Sequence, residues 1–219
     1  MSKWFNLDSP IMVALSKAAD LIALSLMWFV CCIPVVTFVP ATAAMYYVAL
    51  KLAREEEVKI TATFFRGFKM NFKQGIVMSL LFLVVGAVLV LDYFIMSQAD
   101  TTAGMISCAA FFALGVVLLC TMFYTFPIQA QFANPIFRTL RNALILSTQK
   151  VFNTIVVFVL NVLPVVVAVV LPLGVTVRMI PIFVLVLPGV IAYLCAKRFV
   201  KIFDPMINPK EDQPQQAEN

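Results

Sequence analysis

The chain is 219 residues long, 63% hydrophobic and 12% charged, with a mean hydropathy of +1.00 and a formal charge of +5. A soluble domain carries about 45–50% apolar and about 25% charged residues, so this composition excludes a soluble fold and points to an integral membrane protein. The absence of histidine removes imidazole general-base catalysis and histidine zinc sites together.

Asp8-Ser9-Pro10 supplies a capping side chain and then a proline suited to the first helical position, so a helix is expected to begin there and run to about Ile33. Lys17 and Asp20, three residues apart on it, are spaced to pair. The charge-free stretch from Leu21 to Leu50 is interrupted by Pro34 and Pro40. It reads as one crossing over residues 18–38 followed by a shorter dipping helix, because the apolar piece beyond Pro40 is only about half the length a span needs. A two-span hairpin over 21–50 is the alternative.

The largest loop runs from Lys51 to Lys73. In its second half Phe64, Phe65, Phe68 and Phe72 fall within an arc of about 100° on a helical wheel, and Arg66, Lys69 and Lys73 occupy the neighbouring arc. This predicts an interfacial helix over 62–74, its rings toward the acyl boundary or beneath the bundle and its cations toward anionic lipid headgroups. A span over 75–96 follows, with Asp92 near its outer end, and then one over 103–130, with Gln129 near its inner end. Asn134-Pro135 repeats the cap-and-proline signal and opens a second interfacial helix over 135–148. Its Ile136, Phe137, Leu140, Ala143 and Leu144 share a face flanked by Arg138 and Arg141.

Asn161 stands within the next span, over 151–171, and is the polar group best placed for the midplane, where an interhelical hydrogen bond contributes about 1 kcal/mol. Pro172 marks a turn into the last span, over 179–197; Arg178 near its outer end can snorkel to the interface or pair with Asp92. Pro164, Pro181 and Pro188 are candidate breaks of the kind that build midplane sites in transporters. Residues 204–219, with Pro205, Pro209 and Pro214 among Asn, Gln and acidic residues, read as a disordered polar tail.

Lys and Arg crowd the 51–73 loop, the 138–150 loop and the C-terminal end, so the positive-inside rule places the C-terminus in the cytoplasm. With five spans the N-terminus lies outside. The fold class expected is an all-α polytopic transmembrane helical bundle of about five spans, six if 21–50 is a hairpin, with two short cytoplasmic interfacial helices. Cys31, Cys32, Cys108, Cys120 and Cys195 all fall in apolar segments and are odd in number, which supports neither a disulfide framework nor a metal site. No cofactor, metal or catalytic residue is expected: no nucleophile has an evident base, and no G-x-x-x-x-G-K-[ST] run exists. The flanking position of the cations speaks for lipid headgroups and against nucleic acid.

The N-terminal order is specific. Trp28 within Leu21 to Val30, then Ile33-Pro34-Val35-Val36-Thr37, then Pro40-Ala41-Thr42-Ala43-Ala44, then the run from Lys51 to Glu57, then Phe64-Phe65-x-x-Phe68-Lys69-x-Asn71-Phe72-Lys73 resembles the YesL-like family of uncharacterised bacterial membrane proteins. The likeness is continuous over residues 1–75. It implies a bacterial plasma-membrane protein with a sugar-related role, since family members often occur near genes for carbohydrate uptake and breakdown, and it transfers no catalytic residues. Two functions are therefore expected. The first is an accessory or regulatory component of a carbohydrate uptake system, docked on transporter subunits through the basic Phe-rich helix. The second is an independent small-solute carrier built around the breaks near Pro40 and Asn161 and completed by self-association. Within the P-A-T-A-A run, Pro40 suits a helix start and Thr42 can bond its own helix or a neighbour.

Overall fold

A chain inside lipid must satisfy its backbone polar groups internally, which leaves helices as the element for a sequence of this pattern. The computed structural model describes residues 10–98, 101–132 and 134–207, and its elements are all helical: α1 (Pro10–Cys32), a 3₁₀ turn (Val35–Thr37), α2 (Phe38–Ala53), α3 (Ile60–Ser97), α4 (Thr102–Gln131), α5 (Ile136–Gln149), α6 (Val151–Val170), α7 (Leu173–Leu185) and α8 (Leu187–Ile207). Five of the spans are long and apolar enough to cross a membrane: α1, the turn with α2, α3, α4 and α6. The pair α7 and α8, bent by 51°, makes up to six. The expected all-α polytopic bundle is the fold observed. Asp8 and Ser9 of the expected cap lie outside the described residues.

Two boundaries differ from expectation at the N-terminal side. Residues 21–50 form a hairpin, α1 and α2, rather than a single crossing over 18–38 followed by a dip. Pro34 lacks an N–H and stops α1, and Thr37 Oγ1, 2.6 Å from the Cys31 carbonyl and 2.7 Å from that of Pro34, places its one hydroxyl hydrogen where it can satisfy an acceptor the helix end would leave open. α2 is the buried centre of the bundle, packed on α1, α3, α4 and α8. Because the hairpin returns the chain, Lys17 and Asp20 near the start of α1 share a crevice with Leu52 and Tyr193. The start of α1 therefore sits at the same end of the bundle as the end of α2, the arrangement of the two-span hairpin alternative.

The interfacial helix expected over 62–74 is the opening part of α3, not a separate element. Lys69 and Lys73 are good helix formers and nothing between Phe72 and Gln74 breaks the backbone, so the helix runs on for 38 residues. At about 1.5 Å per residue that is about 57 Å, nearly twice the bilayer core of about 30 Å. Its inner stripe is Phe64, Gly67, Asn71, Gly75, Met78, Ser79 and Phe82. The small members let α2 come close: Tyr47 lies over Gly67 and Pro40 over Gly75. Ser79 Oγ accepts from the Val39 N–H at 3.1 Å, capping a donor that the start of α2 leaves free.

The second interfacial element does form separately, as α5, but its buried face is Thr139, Ala143, Leu146 and Ser147. Phe137, expected on that face, is 80% exposed, and Leu144 is exposed as well. At the same end of the bundle Arg54, the residue that ends α2, donates through Nε and Nη2 to Asp204 Oδ1 at 3.1 and 2.8 Å, and through Nη1 to Gln131 Oε1 at 3.1 Å. This clasp ties together the ends of α2, α4 and α8. It also shows that α8 runs through Asp204 and Pro205 to Ile207, inside the stretch expected to be a disordered tail; residues 208–219 lie outside the described residues. Among the described residues the ion pairs are Arg54–Asp204 and Lys51–Glu56, so the expected pairs Lys17–Asp20 and Asp92–Arg178 are not formed.

Candidate functional site

The break between α7 and α8 opens space inside the bundle. Pro188 cannot donate a backbone hydrogen bond, and the chain bends at Val186. The Gly189 N–H, left over by the break, donates 2.9 Å to Ser25 Oγ on α1, which itself donates to the Leu21 carbonyl. Gly189 permits this approach because any Cβ there would collide with the Leu21 carbonyl oxygen.

Between α1, α2, α4, α6 and the break lies a cavity of about 610 Å³. One wall is a run of rings: Trp28 against Phe38, Phe38 against Phe126, and Phe126 against Tyr46, with centroids 6.2, 5.7 and 6.4 Å apart. The other side is aliphatic, from Val162, Pro164 and Val165 on α6 to Ile191 and Ala192 on α8. Polar groups on the lining are few. Trp28 Nε1 donates to Thr42 Oγ1 at 3.0 Å, and Thr42 donates in turn to the Phe38 carbonyl at 2.7 Å, so both are occupied. Asn161 Nδ2 donates to the Val157 carbonyl at 2.8 Å and lies 3.7 Å from Cys195 Sγ. The Asn161 carbonyl oxygen has no protein partner among the described residues. A smaller cavity of about 430 Å³ is also lined by Trp28, Phe183 and Pro188, and reaches the exposed side chains of Phe29 and Ile33.

Of the residues singled out by sequence, Thr42 and Asn161 meet on this cavity. Pro40 does not: it packs against Gly75 of α3. Asp92 is remote, on the last turns of α3. The set at the other end of the molecule is divided. Phe64 is buried in the core and stacks on half-buried Phe68, which meets Phe72, while Phe65 and Phe72 are exposed beside Arg66, Lys69 and Lys73. Arg138 and Arg141 on α5 are exposed too, with Phe137. Pro164 and Pro188, expected as candidate midplane breaks, line the cavity as well, whereas Trp28, Phe126 and Phe183 are among the lining residues to which sequence reasoning gave no site role.

One buried group stands apart. Gln129 on α4 is 4% exposed, and neither of its amide atoms has a partner.

The fold and cavity define a polytopic α-helical membrane protein with an apolar recess between its helices. Residues 21–93 match the family described as protein of unknown function, DUF624. The match covers the second half of α1, all of α2 and most of α3, including Pro40 to Ala44 and Phe64 to Lys73. No curated protein and no solved structure matches the chain.

Proposed function

We propose that this chain is a non-enzymatic accessory component of a bacterial carbohydrate uptake system, seated in the plasma membrane with its basic end in the cytoplasm. The observation that carries the reading is the composition of that end. The first part of α3 carries exposed Phe65 and Phe72 among Arg66, Lys69 and Lys73, and α5 adds Phe137 with Arg138 and Arg141. Rings held outside a packed core among cations suit a docking surface, either on a transporter subunit or at anionic headgroups. Among the described Lys and Arg residues Arg178 alone lies toward the opposite end, the distribution the positive-inside rule associates with a cytoplasmic basic end. The sugar connection rests on the resemblance of the N-terminal third.

A carrier of small polar solutes is the weaker reading. Each hydroxyl of a sugar buried without a partner costs about 1–3 kcal/mol, and the cavity wall offers almost nothing but carbon.

Affinity purification from a bacterial membrane in mild detergent tests the proposal. Stoichiometric recovery of sugar-transporter subunits, lost in a Phe65→Asp, Phe137→Asp double variant that elutes normally on gel filtration, supports it. Sugar flux through liposomes containing this chain alone would sink it.

A further inference from the structure

We propose that the cavity holds a hydrocarbon chain of a membrane phospholipid, admitted from the bilayer between α1 and α7. Packed protein interiors contain few voids larger than a water molecule, whereas this recess of about 610 Å³ runs from buried side chains out to exposed Leu119 and Val165. Its wall is almost wholly apolar, so water does not fill it. Left empty, its lining forfeits dispersion contacts that any hydrocarbon within reach would restore.

The position of the opening selects the occupant. Trp28, Phe183 and Pro188 line both this cavity and the smaller one, and the smaller one reaches Phe29 and Ile33, which are 45% and 71% exposed. Ile180 and Ile182 on α7 are exposed as well. In a membrane the medium against such a surface is acyl chain, so the molecule at the mouth is a lipid. Ile33 adjoins the turn between α1 and α2, which leaves the headgroup at the bundle surface while a chain passes Trp28 and Phe183. Trp28 and Thr42 satisfy each other and Asn161 spends its amide nitrogen within the protein, so on a wall that is otherwise almost all carbon the Asn161 carbonyl oxygen is left without a protein partner among the described residues.

Trp28 lines the path, so it reports on it. A Trp4→Phe protein, leaving Trp28 as the single tryptophan, is placed in nanodiscs of phosphatidylcholine brominated near the end of its chains, and compared with the same protein carrying Ala168→Phe, which fills the cavity from α6. The expected result is strong quenching of Trp28 that is largely lost in the filled variant. Native mass spectrometry is expected to find a phospholipid retained by the unfilled protein and absent from the filled one. Equal quenching in the two proteins with no retained lipid in either would overturn the proposal, because Trp28 would then touch only the surrounding bilayer. If Ala168→Phe does not fold, the unfilled protein decides by itself: a phospholipid kept through extended detergent washing supports the site, and a lipid-free protein overturns it.

Discussion

Gly75 on α3 lies directly against Pro40 on α2: a Cβ at Gly75 would stand 2.7 Å from Pro40 Cδ and 2.8 Å from its backbone nitrogen. Both contacts are with a rigid ring and its backbone, so neither can swing aside. Gly75→Ala must push the two helices apart, at a cost of about 1–3 kcal/mol for overpacking. The expected outcome is a lower Tm in detergent. Gly86→Ala on the same helix meets nothing within 4 Å and is expected to leave Tm unchanged or slightly raised, since alanine favours helix.

Thr42→Val removes the acceptor for the Trp28 indole while nearly keeping its volume. Hydrogen bonds between membrane helices contribute about 0.6 kcal/mol on average and up to about 1.7 kcal/mol. A loss of that size is expected in chemical denaturation, together with a shift in Trp28 emission as the indole loses its partner. An unchanged spectrum would show that the bond is not made in the membrane.

Gln129→Leu is expected to stabilise. Both amide atoms are buried without partners, and such a group carries a desolvation penalty of about 1–3 kcal/mol that an apolar side chain does not. A higher Tm is the predicted reading. A lower one would mean that the amide serves a bound water or another molecule.

Glu55→Gly is a second stabilising change. α2 ends with the Glu56 N–H bonded to the Lys51 carbonyl and the Glu55 N–H to that of Leu52, each at 3.1 Å, the pattern of a Schellman cap. The cap requires a left-handed residue, and Glu55 has φ of 60°. A side chain there costs about 1–2 kcal/mol that glycine escapes. A rise in Tm, with the Lys51–Glu56 pair left in place, is the expected result.

Topology is read by labelling single cysteines, introduced after replacing the five native ones, with a membrane-impermeant reagent. Gln98→Cys, after α3, is expected to label in intact cells. Lys17→Cys and Lys150→Cys are expected to label only after permeabilisation, because both lie at the basic end. Labelling of Lys17→Cys from outside would contradict the α1–α2 hairpin as a membrane-crossing pair.

Much of the helix plan was legible because charge and proline are local signals. Pro135 directly precedes α5, and Pro172 directly precedes α7, as their lack of an N–H suggests. What escaped was continuity. Lys69 and Lys73 mark the level of an interface, but a helix does not stop at an interface when its residues favour helix, so α3 ran straight through two segments that charge had divided. The buried role of α2 was hidden by its length: judged as a span it is short, whereas judged by its alanines and Pro40 it is a helix meant to be surrounded. The cavity was the least legible. Trp28, Thr42, Asn161 and Phe183 are ordinary in isolation, and they meet only because the break before Pro188 leaves room between helices far apart in sequence.

The unbroken course of α3 joins two levels of the molecule. Its exposed cations and its apolar far end belong to one stiff rod, held near its middle where Gly75 seats under Pro40. α2 grips that rod twice, with Tyr47 over Gly67 and Pro40 over Gly75, so the basic end and the membrane portion are fixed to one common partner. A partner gripping Arg66 or Lys69 would hold the same unbroken helix that seats Pro40.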